Sequence, residues 1–90
     1  MFAVIFSEVD MRKHPGEIVY YILKLRDLEL GVSKGTSVSD FKKATRFGNK
    51  DAGLFFRGQI DIDVEIAEDL GDYFNNSPLF WIDLQNDYDY

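Results

Sequence analysis

Cysteine is absent from the 90 residues, so no disulfide can staple the chain and thiolate metal centres are excluded. The single histidine, His14, stands beside Pro15 instead of in a ligand cluster, and one imidazole cannot hold a zinc ion alone. It reads as a helix-entry residue, hydrogen-bonded locally. The same two shortages remove the Ser/His/Asp and Cys/His arrangements of nucleophilic catalysis, so no enzymatic activity, metal or cofactor is expected. Long hydrophobic runs are missing too. The longest, FAVIF at 2–6, is far too short to span a bilayer and lacks the flanks of a secretory leader; a cytoplasmic protein without membrane contact is expected. Positive charge is missing from the last third, where Gln59 to Tyr90 hold nine acids and no Lys or Arg.

What is present begins with aromatics, at 16% of the chain: eight Phe, five Tyr and one Trp. Each buries more surface than an aliphatic residue, which suits a single domain near the lower size limit for a self-sufficient core. All ten Lys and Arg lie between Arg12 and Arg57, against five acids in the same stretch. The net charge of −6 therefore divides into a basic middle and an acidic end. Such a division predicts two surfaces, one suited to phosphate and one to solvent or a basic partner. The acids Asp61, Asp63, Glu65, Glu68, Asp69 and Asp72 lack the glycine and closing glutamate of a calcium loop and read as a solvated helix face.

Along the chain, FAVIF reads as a short strand needing a partner. Either QIDIDV at 59–64, where Ile60, Ile62 and Val64 alternate with polar residues, or FAVIF of a second subunit would supply it. Pro15 begins a helix in which Ile18, Tyr21, Ile22, Leu25 and Leu28 form an apolar stripe, and Gly31 stops it. GVSKGTS connects to a second helix, capped by Ser37 and running to about Thr45, with Phe41 and Ala44 inward and Lys42, Lys43 and Arg46 outward. After Phe47-Gly48, Asn49 caps a two-turn helix with Ala52, Phe55 and Phe56 on one face. Gly53 weakens it by roughly 0.5–1 kcal/mol relative to Ala. Asp63 caps a fourth helix that buries Ile66, Ala67, Leu70 and Phe74, broken by Asn75 and Asn76. Ser77 caps and Pro78 starts the last, with Trp81, Leu84 and Tyr88 on one face. The expectation is one domain over 1–90: a strand or arm at 1–10 and a helical body at 14–90.

Two short helices joined by a glycine turn form the arrangement of a helix-turn-helix. HPGEI at 14–18, FRG at 56–58 and NNSPLFWIDLQNDYDY at 75–90 resemble the HigA/VapI-type antitoxins of the XRE helix-turn-helix superfamily, over residues 14–90 and without gaps from Ser37 onward. The resemblance implies an all-α, five-helix, lambda-repressor-like domain beside the short N-terminal β-strand. It also implies that Ser37, Val38 and Ser39 approach phosphate, while Asn49, Lys50, Asp51, Gly53 and Leu54 occupy the base-reading face. Lys34, Lys42, Lys43, Arg46, Lys50 and Arg57 would supply about half of the cations such phosphate contacts need. The chain departs from the family pattern at three places. Lys42 stands for a usual Ala, Arg46 for a usual Gly, and Gly58-Gln59-Ile60 for a basic GKR. Asp51 would be repelled by phosphates, although a carboxylate accepts from a cytosine amino group.

Two functions follow as expectations. One is a HigA-like antitoxin and transcriptional regulator, a homodimer bound to operator DNA that also masks a small basic ribonuclease-type toxin with its acidic third. The other is an acidic interaction or inhibitor protein that keeps the scaffold without reading DNA. It would engage its partner through the acidic surface or, by strand addition, through Phe2, Val4 and Phe6.

Overall fold

A computed structural model describes residues 12–90, the side chains of residues 49 and 50 apart. Five helices follow one another: α1 (Pro15–Leu30), α2 (Thr36–Ala44), α3 (Asn49–Phe56), α4 (Val64–Phe74) and α5 (Pro78–Asp89). No strand occurs among the described residues, and no helix there is long and apolar enough to cross a membrane. The strand expected at FAVIF, with Phe2, Val4 and Phe6, lies outside the described residues.

Local signals explain most helix ends. His14 caps α1, its Nδ1 accepting from the Gly16 N–H at 2.9 Å, and Pro15 fills the first helical position. Gly31, at φ 65°, closes the helix in the left-handed region. Asp63 accepts from the Ile66 N–H at 2.8 Å to open α4, and Asn75, at φ 58°, ends it. Ser77 accepts from the Leu79 N–H at 3.2 Å, with Pro78 next, to open α5.

The second helix departs from expectation. Its cap is Gly35, at φ 94°, and Ser37 lies one residue inside the helix. The capping acceptor comes from α1 instead: the Asp27 carboxylate takes the Gly35 N–H at 2.9 Å and the Ser37 N–H at 2.8 Å. Likewise α3 is capped by Gly48, with Asn49 already helical.

α1 contacts α2, α3 and α5, while α4 and α5 pack on each other. Ile18, Val19, Ile22 and Leu23 are the buried side of α1, so the apolar stripe is rotated from the expected one: Tyr21 is exposed and Leu28 is 79% exposed. Both 18/22 and 21/25/28 satisfy helical spacing, and only the neighbouring helices select the face. Ala44, expected inward, is exposed at the end of α2. In its place Phe47 enters the core from the turn. Its ring stacks between Phe41, at 5.8 Å between centroids, and Phe55, at 4.5 Å. Trp81 and Leu84 are buried as expected on α5, and Gln85 joins them while Tyr88 is half exposed.

Residues 59–63 form a loop. Ile60 and Ile62 still pack against the core, which accounts for their alternation. The Ile62 N–H donates to Gln85 Oε1 at 2.8 Å, so a side chain on α5 satisfies an amide that strand pairing would otherwise use. Gln85 Nε2 also reaches Asp61 at 3.3 Å, and Asp61 accepts from His14 Nε2 at 3.2 Å. Because His14 Nδ1 already accepts from Gly16, Nε2 carries the proton. Tyr88 sets its ring edge-on to His14 at 5.1 Å, and Gly58, at φ 76°, faces the same imidazole. Thus the HPGE, FRG, LQ and YD fragments meet at one junction around His14.

Candidate nucleic-acid interface

α2, residues 45–48 and α3 form a helix–turn–helix edge. Thr45 leaves α2 in extended conformation, with its N–H and its hydroxyl both donating to the Phe41 carbonyl. Phe47 buries, and Gly48 leads extended into α3. A groove of about 600 Å³ lies against α2 and the turn, with Ser39, Lys42, Lys43, Phe47 and Gly48 on its walls. Lys42 and Lys43 occupy the last turn of α2, where cations also favour the negative end of the helix dipole. Their positions therefore suit helix stability as well as phosphate contact.

The expected site residues divide into four groups. Ser39 and Lys43 are exposed on the groove. Asp51 is exposed in the first turn of α3, where its charge favours the positive end of that helix, and Leu54 and Gly53 are half-buried. Asn49 and Lys50 begin α3, but their side chains lie outside the described residues. Ser37 and Arg46 are turned to other groups. Ser37 is 3% exposed and its hydroxyl bonds the Asp27 carboxylate, so it faces α1, not the surface.

Arg46 points at α4. Its Nε donates to Asp69 Oδ2 at 2.6 Å, Nη2 to Asp69 Oδ1 at 3.2 Å and Nη1 to Glu65 Oε2 at 2.7 Å. Its backbone N–H meets Asp69 Oδ2 at 3.2 Å. The hydrogen bonds that Arg46 donates to Asp69 hold the Asp69 carboxyl below the usual carboxylate range and raise the guanidinium.

Three groups that brace this edge carry no signal in the linear sequence. Asp27 is one, buried beneath the start of α2. Hydrogen bonds from the Ser37 hydroxyl and from the Ser37 and Gly35 amides hold its carboxyl below the usual range, against the opposing effect of burial. The Asp69–Glu65 pair is the second. Tyr73 is the third: its hydroxyl donates to Asp40 on α2 at 2.8 Å and accepts from Arg26 on α1 at 3.0 Å. Burial, helped by the Asp40 bond, pushes the phenol up to about 12. These partners lie 8 to 47 residues apart along the chain, so no helical period brings them together on paper.

The Asp27 cap has a measurable acid signature. Its folded pKa is lowered from 3.8, so its stabilisation is fully present above that value and is lost as pH falls through the lower folded value. Asp27→Asn is expected to lower the melting temperature at neutral pH. The gap from the wild type should narrow steadily below pH 3.8. A gap constant with pH in thermal melts followed by circular dichroism contradicts this role.

No family model matches the chain, and no curated protein matches it. Among solved structures, the chain is similar to PA4674 from Pseudomonas aeruginosa, determined in complex with its 28-base-pair operator DNA. The two share 28% sequence identity and a TM-score of 0.63, over 87% of this chain and 78% of that one.

Proposed function

We propose that the protein is a transcriptional regulator that binds operator DNA as a dimer through the α2–turn–α3 edge, and that it is a HigA-like antitoxin. The observation that carries the DNA-binding reading is the likeness to an operator-bound protein across 87% of the chain; the groove lined by Ser39, Lys42 and Lys43 supports the choice of edge. Nothing in this reading is catalytic. The protein works by occupying a site. A two-fold dimer would set two α3 helices in successive major grooves about 34–36 Å apart, on an operator of matching symmetry. The antitoxin half rests on the sequence resemblance and on the acidic residues 59–90, a surface suited to a small basic ribonuclease.

One observation favours the alternative, an interaction protein that has kept the scaffold. Arg46 is held by two carboxylates, and Gln59 and Ile60 follow α3 where the resembled family is basic, so these positions add no net positive charge to the edge.

Fluorescence anisotropy with a labelled duplex from upstream of the protein's own gene separates the two. Binding should weaken steeply with salt, as it does when cations on a protein displace counterions from phosphate. Lys43→Glu should weaken it roughly tenfold and lower the slope of log affinity against log salt by about one. Absence of binding even at about 50 mM salt removes the DNA-binding reading and leaves the interaction protein. For the antitoxin half, co-expression with the adjacent reading frame should yield a stable complex with a small basic protein.

A further inference from the structure

We infer that Arg46 is a positioning residue and not a DNA contact: with Asp69 and Glu65 it forms a strut that fixes the turn between α2 and α3 onto α4. The inference rests on the proposed operator binding for what α3 does, while the strut itself is a property of the fold.

The geometry is that of a fork closed on two acids. A guanidinium presents its donors in a fixed plane, matched to a carboxylate taken at two points. Asp69 is taken that way, through Nε and Nη2, while Nη1 engages Glu65. Asp69 Oδ2 holds the Arg46 backbone N–H as well, so one carboxylate grips both ends of the residue. An exposed ion pair is worth little by itself, because water screens it and two flexible side chains must be ordered. Here the Asp69 side chain is only 21% exposed, the fork is bidentate, and a main-chain bond joins it. To reach a phosphate, Arg46 would have to release two carboxylates for a single new anion.

The position of the strut gives it its consequence. α3 is two turns long, its cap Gly48 supplies no side-chain bond, and it is held by apolar packing, with Ala52 and Phe55 buried and Phe47 stacked on Phe55. Apolar packing of this kind is non-directional. Hydrogen bonds from Arg46 to α4 add direction, setting where the chain turns before α3 begins. The trio carries a net charge of −1, so Arg46 adds no net positive charge to the edge.

Hydrogen exchange and DNA binding of the full chain test this together, using Arg46→Ala, Arg46→Lys, Asp69→Ala and the Arg46→Ala/Asp69→Ala double variant. Exchange of amides 48–56 should quicken about threefold to tenfold in each single variant, with α5 unchanged. The double variant should open by less than the sum of the two singles, the mark of coupled partners. Arg46→Lys, which keeps the charge but cannot form the fork, should behave as the alanine variant does. On the duplex, Arg46→Ala should weaken binding with an unchanged salt slope, whereas loss of a phosphate contact lowers the slope by about one. Unaltered exchange, additive effects in the double variant, rescue by lysine, or a slope lowered by about one each overturns the strut. If the wild-type chain binds no duplex, the operator reading fails, and the exchange measurements still decide the strut.

Discussion

Trp81→Ala is expected to remove about 3–5 kcal/mol of stability, the range for deleting a large aromatic from a packed interior. The indole is fully buried between α4 and α5, with Phe74 at 5.4 Å and Phe80 at 5.1 Å between ring centroids, and its Nε1–H donates to Asn76 Oδ1 at 2.8 Å. Domains of this size have roughly 5–15 kcal/mol in total, so the variant should sit near the edge of folding. Urea unfolding followed by circular dichroism is the suitable measurement, since the substitution removes the chain's one tryptophan and its fluorescence. The midpoint should fall sharply with the slope unchanged. Trp81→Phe should cost clearly less, because the ring survives and only the indole bond and part of the volume go. A loss below about 1 kcal/mol for alanine would mean that α4 and α5 are joined in some other way.

The second large effect concerns a glycine, and its sign is the informative part. A methyl group at Gly16 would lie 1.7 Å from the Phe55 carbonyl oxygen and 2.7 Å from its carbon. Both atoms are backbone, so no rotamer change relieves the clash, and the start of α1 must move away from the end of α3. Gly16→Ala is expected to cost about 3 kcal/mol, at or beyond the upper end for overpacking. Gly53→Ala is the control. A methyl there would find only an Arg57 guanidinium nitrogen at 3.8 Å, and alanine should stabilise the helix by about 0.5–1 kcal/mol. Helix propensity alone predicts a gain at both positions. Thermal melts of the two variants moving in the same direction would contradict the close approach of α1 to α3.

The glycine pair also shows how much was legible in the chain. Gly16 and Gly53 are alike as letters in helical segments, and their difference lies entirely in what faces them. The same holds for α1, where two overlapping stripes satisfy a 3.6-residue period and the packing partners choose 18, 19, 22 and 23. At residues 59–64, period-two alternation is compatible with a strand or a loop. A loop with Ile60 and Ile62 turned inward has the same pattern, and Gln85 supplies the bond that a neighbouring strand would have given. The interface follows this rule. That α2 and α3 are short, separated by a glycine turn and flanked by lysines was readable in order along the chain. That Ser37 faces α1 and Arg46 faces α4 was not.

From sequence alone came the number of helices and most of their ends. The signals responsible act within one turn: His14-Pro15, Gly31, Asp63, Asn75 and Ser77-Pro78 each satisfy or terminate backbone hydrogen bonds beside them. Tertiary structure alone decided which polar side chains are spent inside the molecule. Asp27 replaces a local cap for α2, His14 and Gln85 hold the 59–63 loop, and Asp69 with Glu65 takes the arginine that sequence placed at the DNA. A hydrogen bond or ion pair forms with whatever acceptor lies within about 3 Å in space, and that neighbour is chosen by the packing of the helices.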